Sequence, residues 1–289
     1  MSLVHVIVLA IVQGLTELLP VSSSAHVVVA EKLMGMDPSS PETTLLLVML
    51  HTGTMFAVIL YFWQQWRAAF FQSGPAFKRF ALLVVLATGI TGVVGGTLIK
   101  IIEGVFFQNA AKAEIEQLFG HLELIAPALG VAGVLILIAG FAERRAALRA
   151  SPGGSGLGLK QAGWIGAVQG LCLPFRGFSR SGATISAGVL AGVSKARSEE
   201  FSFALAVVLT PPAIIREVLR LIEAQRMSGS AGLGTAILPC LVGGLCAFLA
   251  GLLALKWLSR WLQTGRWHLF GIYCLIAAAA VAILHRSGY

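Results

Sequence analysis

The sequence predicts an all-α polytopic membrane protein with two inverted-topology repeats, each holding one re-entrant helical hairpin and three transmembrane helices. Three observations lead there. The 289 residues are 57% hydrophobic and only 12% charged, with a mean hydropathy of +0.85; ordinary soluble domains carry about 25% charged residues. Six segments are apolar enough, over the roughly 20 residues that a bilayer requires, to span it. Two further apolar regions, 2–35 and 160–195, are broken midway by Pro, Gly and Ser, and both carry Val-Gln-Gly-Leu, at 12–15 and 168–171.

Taken in order, region 2–35 reads as two short helices joined by a loop at membrane depth. Such a loop survives only where its backbone is buried in protein or lines a wet cavity. Spans are expected at 43–65, 80–100 and 122–142. The stretch "SPGGSGLG" at 151–158 has the composition of a flexible linker and divides a first repeat, 1–150, from a second, 151–289. Region 160–195 is the second interrupted hairpin, followed by spans at 199–222, 232–256 and 266–285. A second pairing supports the repeat: "ETTLLLVMLHTGT" from Glu42 resembles "EFSFALAVVLTPP" from Glu200, an offset of 158 residues against 156 for the tetrapeptide. One hairpin and three spans per half is an odd number of crossings, so the second half is expected to be inverted. Inverted repeats with interrupted helices place their site near the bilayer midplane, where the breaks meet.

Charge sets the orientation. Loops 64–79 (Arg67, Lys78, Arg79), 143–160 (Arg144, Arg145, Arg149 and Lys160 against Glu143) and 256–266 (Lys256, Arg260, Arg266) are basic and are expected to be cytoplasmic. Loops 31–42 and 100–123 are net acidic and expected outside, as are the mixed stretch 216–226 and both termini. The net charge of +8 belongs to these loops beside anionic lipid. No basic cluster with interleaved aromatics is present, so no nucleic-acid partner is expected. Cys172, Cys240, Cys246 and Cys274 form no Cys-x-x-Cys pair and read as buried small hydrophobes. No Lys or Arg precedes the first apolar run, so it is expected to be retained rather than cleaved as a signal peptide.

The chemistry concentrates in the two breaks. Between Met1 and Glu31 the one formal charge is Glu17; between Lys160 and Lys195 there are two, Arg176 and Arg180. An ionised group at membrane depth costs about 3 kcal/mol or more and marks a functional site by default. Ser22, Ser23 and Ser24 precede a short helix containing His26. Ser179, Ser181 and Thr184 surround Arg180 at the start of another. Serines at a helix start cap it, and the backbone N–H groups there bind anions. Gly177 and Gly182 let backbone approach a ligand, and Arg180 can grip phosphate oxygens in a bidentate fork. Gln13 and Glu17 are four residues apart and share a helix face; a carboxylate and an amide oxygen beside phosphate suit Mg²⁺ or Ca²⁺. His26 can act as acid, base or nucleophile. His51, inside a span, is a supporting candidate whose plainer reading is an interhelical hydrogen bond. An anion cradle, an acid, a histidine, hydroxyls and a divalent ion together suit phosphoryl transfer on a phosphate head group with a lipid tail. A buried ion pair that only fixes the fold would not need the hydroxyls.

At these residues the chain resembles the bacterial undecaprenyl-diphosphate phosphatase family, integral-membrane enzymes linked to bacitracin resistance. The family's Glu/Gln-x-x-x-Glu motif and the Pro-x-Ser-Ser-x-x-x-His-like stretch after it match Gln13 to Glu17 and "PVSSSAH". Its Pro-Gly-x-Ser-Arg-Ser-Gly-x-Thr motif matches "RGFSRSGAT", with Arg176 in place of the proline and one more residue between Gln169 and Ser179. The resemblance covers essentially the whole chain. It implies hydrolysis of undecaprenyl diphosphate to the monophosphate, recycling the lipid carrier of cell-wall synthesis in the bacterial cytoplasmic membrane, with the site opening to the outer side. It assigns activity to Glu17, Ser23, His26, Ser179, Arg180 and Thr184.

The expected mechanism has Arg180 and the start of the 181–194 helix holding the phosphates, with Arg176, Ser22, Ser24, Ser179, Ser181 and Thr184 as further contacts. Glu17 acts as base or, with Gln13, as metal ligand. Ser23, His26 and water remain alternative nucleophiles. A second lipid-phosphatase class places His six residues after its Ser-Arg; here that position is Ser186, which disfavours it. An inverted-repeat lipid transporter or flippase without hydrolase activity is the competing function class, since broken helices also mark transporters. Oligomeric state stays open, a homodimer included.

Overall fold

The computed structural model describes residues 2–36, 40–106, 121–148, 156–228, 234–263 and 266–288. Among them every regular element is helical: α1 (Leu3–Leu18), α2 (Ser23–Leu33), α3 (Pro41–Phe70), α4 (Gly74–Phe106), α5 (Leu122–Leu148), α6 (Leu159–Cys172), α7 (Arg180–Leu190), α8 (Lys195–Ser228), α9 (Gly234–Gln263) and α10 (Trp267–Arg286). Among the described residues six helices, α3, α4, α5, α8, α9 and α10, are long and apolar enough to cross a membrane. The chain is a multi-pass membrane protein. Both interrupted regions resolve into pairs of short helices, α1 with α2 and α6 with α7, each pair packed together.

The spans overrun the sequence expectation. α3 reaches Phe70 and α4 starts at Gly74, so most of the expected basic loop 64–79 is helix. α9 likewise runs to Gln263, and the stretch 216–226 lies inside α8. Hydropathy registers only the part of a helix that sits in hydrocarbon, whereas backbone hydrogen bonding carries it further into water. The greater part of the expected linker 151–158, and of loop 100–123, lies outside the described residues.

α1 shows why the short helices are short. Ser2 caps it, its hydroxyl accepting the His5 N–H at 3.2 Å. Pro20 ends it: a residue before proline is pushed out of the α region, and Leu19 is extended at φ −83°, ψ 151°. Its 16 residues rise about 24 Å, less than the roughly 30 Å hydrocarbon core. α2 and α7, with 11 residues each, are shorter still.

Contacts divide the chain into two compact units. The first takes α1, α2, α3 up to Trp63, α8 from Ala206 and α9 up to Ser259. Its core joins Val6, Leu9 and Ala10 of α1 with Val27, Leu46, Leu50, Cys240 and Ala247. α9 lies close enough to α3 that a Cβ on Gly53 would overlap the Gly244 carbonyl oxygen. Close approach through glycine is how helices gain dispersion contact where no hydrophobic effect drives them together. Tyr61 donates its phenol O–H to Ser259 Oγ at 2.8 Å along the same pair of helices.

The second unit takes Pro20–Ser22, the rest of α3, α4 to α7, α8 up to Leu205 and α10. α5 packs on α10 and α7, and α4 on α6. Its core joins Leu83, Val84, Ile165, Val168, Phe201 and Leu205. Polar groups inside it are paired: Gln169 Nε2 donates to Thr91 Oγ1 at 3.1 Å, and the Thr91 hydroxyl reaches the Gly166 and Ala87 carbonyls at 2.9 and 2.8 Å. Lys195 at the start of α8 meets Glu143 of α5 at 2.5 Å with its side chain 6% exposed. Only the lysine is dry, the Glu143 side chain keeping 33% exposure, so it is loss of the carboxylate that strips a buried charge of this partner.

Two outcomes follow for stability in detergent. Gly53→Val forces α3 off α9 and is expected to cost about 1–3 kcal/mol, as overpacking does, read as a lowered thermal midpoint. Glu143→Leu alone is expected to destabilise more than Glu143→Leu combined with Lys195→Met.

Candidate active site

The acid group lies wholly in the first unit. Gln13 and Glu17 stand one turn apart on α1, and the Gln13 amide Nε2–H donates to Glu17 Oε2 at 3.1 Å. Pro20 stops α1 directly after them, and α2 starts at Ser23. Ser23 Oγ–H donates to the same Glu17 Oε2 at 2.5 Å, the short distance of a hydroxyl on a charged acceptor. His51 joins from α3, with Nε2 3.9 Å from Glu17 Oε2. Gln13 is buried, while the Glu17 and His51 side chains keep 17% and 43% exposure. Ser24 and His26 are half-buried on α2. His26 lies three residues beyond Ser23 and therefore on its face of the helix.

The break that permits this contains a left-handed residue. Ser22, buried, has φ +67° and is the one non-glycine with positive φ among the described residues. That conformation costs an L-residue about 1–2 kcal/mol, and such strain collects at functional sites.

The cationic group lies in the second unit. α6 ends at Cys172, and the chain passes Pro174 and Arg176 before Gly177, at φ +99°. A Cβ on Gly177 would stand 2.5 Å from the Ile125 carbonyl oxygen, so conformation and space both demand glycine there. Ser179 caps α7, its Oγ accepting the Gly182 N–H at 3.2 Å. Arg180 opens α7 and is half-buried, as is Arg176 in the loop. Ser181 and Thr184 are buried. Thr184 Oγ1 lies 2.8 Å from the Arg180 carbonyl oxygen and 2.6 Å from Ser202 Oγ on α8, so its hydroxyl fastens the first turn of α7 to α8.

The structure thus gathers Gln13, Glu17 and Ser23 into one hydrogen-bonded group, and sets Ser179, Arg180, Ser181 and Thr184 at the cap and in the first turns of α7. Two participants stand out less in the sequence. Ser202 looks like an ordinary hydroxyl in an apolar run. His51 is visible as an ionisable group inside a span, but nothing in the sequence says that it faces Glu17.

A divalent ion fits the acid group only as a loosely held one. Among the described residues no three His, Cys, Asp or Glu side chains cluster to hold a metal. Glu17 supplies one carboxylate and Ser23 a hydroxyl. The Gln13 amide, turned over, would present Oε1 instead of Nε2. Mg²⁺ commonly takes one or two carboxylates and completes its shell with phosphate and water, which this donor set allows.

Ser22→Val, which adds a β-branch to a left-handed residue, is expected to lower stability by about 1–2 kcal/mol. Ser22→Gly is expected to hold the thermal midpoint closer to wild type. Thermal unfolding in detergent distinguishes the two.

The family model described as bacitracin resistance protein BacA matches residues 6–280. Undecaprenyl-diphosphatase 2 of Acinetobacter baylyi is 55% identical over 288 residues, covering 98% of each chain. Undecaprenyl-diphosphatase of Rhodopirellula baltica is 32% identical, again over 98% of each chain. Undecaprenyl-diphosphatase 2 of Burkholderia ambifaria is 33% identical over 96% of this chain and 95% of its own. With the model spanning nearly the whole sequence and relatives matching end to end, the chain belongs to the bacitracin resistance protein BacA family.

Proposed function

We propose that this protein hydrolyses undecaprenyl diphosphate to undecaprenyl phosphate and inorganic phosphate. The observation that carries the reading is the Ser23 hydroxyl donating at 2.5 Å to the Glu17 carboxylate, a hydroxyl already directed at a base on a membrane-embedded helix pair. The names of the full-length relatives supply the lipid.

In this reading the diphosphate head group is the reacting part of the substrate, while the polyprenyl tail stays in lipid. Arg180 and the N–H groups opening α7 bind the non-bridging phosphate oxygens, where the positive end of the helix dipole favours an anion. Arg176, Ser22, Ser24, Ser179, Ser181 and Thr184 complete the cradle, Thr184 by holding α7 on α8. Glu17 takes the proton of the attacking hydroxyl, that of Ser23 or of a water; the new P–O bond forms as the bond to the bridging oxygen breaks. His26 returns a proton to the departing undecaprenyl phosphate or is itself the nucleophile; where Ser23 or His26 attacks, water then cleaves the phosphoryl group from that side chain and releases inorganic phosphate. Gln13 and Glu17 are the residues that would hold Mg²⁺ or Ca²⁺, which would neutralise phosphate charge. The same reading places the protein in the bacterial cytoplasmic membrane as two inverted repeats, 1–150 and 151–289. Its site opens outward, and it recycles the carrier for cell-wall polymers, as a monomer or a homodimer.

Phosphate release from undecaprenyl diphosphate by purified protein, with and without Mg²⁺ or Ca²⁺, tests this. Glu17→Ala and Arg180→Ala are each expected to lower kcat/KM at least about 100-fold, as loss of a general base or of a charge-stabilising group does. No release by folded wild type overturns the hydrolase reading and leaves the lipid-transport one.

A further inference from the structure

α7 has 11 residues, and all of them from Ser181 to Gly188 are buried. Ala183 and Ala187 enter the core with Ile165 and Val168 of α6. A Cβ on Gly182 would stand 2.7 Å from Ile136 Cδ1 of α5. Against α8 the helix runs antiparallel. Thr184 meets Ser202, and one turn along α7 and one turn back along α8 a Cβ on Gly188 would stand 2.8 Å from Ser198 Cβ. Apolar contacts are non-directional, so they seat α7 without fixing its rotation about its own axis. The contact of Thr184 Oγ1 with Ser202 Oγ, at 2.6 Å, carries direction.

The hydrogens of this pair follow from its surroundings. Thr184 Oγ1 also lies 2.8 Å from the Arg180 carbonyl oxygen and 3.4 Å from that of Ser181. A carbonyl only accepts, and a hydroxyl has one hydrogen to give. Thr184 therefore donates back into α7, and Ser202 donates to Thr184. Both residues are 0% exposed, so bulk water does not compete for either hydrogen. With its hydrogen committed to its own helix, Thr184 has none to offer a phosphate oxygen. An alanine facing a valine would fill this space equally well; what the two hydroxyls add is a fixed orientation.

We propose that Ser202 is a positioning residue for Arg180. Its hydroxyl holds Thr184, and Thr184 holds the carbonyl of Arg180 itself. The two bonds in series set the rotation of the first turn of α7, and with it the direction of the guanidinium and of the N–H groups that open the helix. Thr184 serves the reaction through this link and not as a contact to the substrate. The proposal deepens the hydrolase reading above and rests on it.

The test measures phosphate release from undecaprenyl diphosphate, binding of the same lipid, and thermal midpoints, all in one detergent. Ser202→Ala is expected to lower kcat/KM about 10- to 100-fold, the scale of a misplaced reacting group, with a thermal midpoint within a few degrees of wild type. Thr184→Val, of similar shape without the hydroxyl, is expected to match it. The double variant is expected to be no worse than the more impaired single one, because both changes break the same link. Thr184→Ser combined with Ser202→Thr keeps both hydroxyls and the total volume and is expected to recover most of the activity. Three results overturn the proposal. One is Ser202→Ala within about twofold of wild type. Another is a double variant whose loss is the product of the single losses, which makes Thr184 an independent contact to the substrate. The third is an exchanged pair as impaired as Ser202→Ala, which makes the role one of packing; if Ser202→Ala does not fold, the exchanged pair decides. Wild type that binds the lipid but releases no phosphate fails the hydrolase reading alone. The comparison is then read in binding, where Ser202→Ala is expected to be about 10-fold weaker, again as a misplaced group.

Discussion

Glu17 Oε2 is the atom on which the acid group closes. A carboxylate that keeps only 17% exposure has little water to stabilise it, and leaving it without partners would be costly. Three helices answer that constraint at one oxygen, with an amide from α1, a hydroxyl from the start of α2 and an imidazole on α3. Each of these also explains a local feature. Gln13 must be one turn before Glu17, Pro20 must end α1 so that Ser23 can come back over it, and Ser22 must take a left-handed conformation to turn the chain.

The second unit meets the opposite problem, two cationic side chains in an apolar stretch, by different means. The loop between α6 and α7 is held by glycine packed against the Ile125 carbonyl, and α7 is capped by Ser179 and pinned by Thr184 to Ser202. Hydroxyls there serve mainly to hold backbone, which leaves the guanidinium groups and the remaining N–H groups of α7 as the parts suited to an anion.

Much of this was legible in the sequence because membrane helices write their physics plainly. The six spans follow from hydropathy. The two breaks follow from Pro20 and Pro174 with their neighbouring glycines and serines, since no continuous helix tolerates that composition. Glu17, Arg176 and Arg180 announce themselves as charges where none belong. Helix ends were less legible: α3 to Phe70 and α9 to Gln263 continue past the hydrocarbon, where hydropathy no longer registers them. Pairings across helices were also hidden. That His51 faces Glu17, or that Ser202 meets Thr184, depends on rotation of whole helices about their axes. A side chain repeats its direction every 3.6 residues, so a small error in rotation points it elsewhere. The left-handed Ser22 was illegible for a related reason, since three serines in a row do not say which one turns.

The break after α1 also has an electrostatic consequence. Glu17 lies in the last turn of α1, the negative end of that helix, where an anion is disfavoured; its hydroxyl partner is the first residue of α2, the positive end of the next helix, where an anion is favoured. The acid belongs to one helix by sequence and to another by field. Its charge is supported by an element of only 11 residues that it does not share. Fraying of α2 would therefore weaken the carboxylate's hold before anything in α1 had moved.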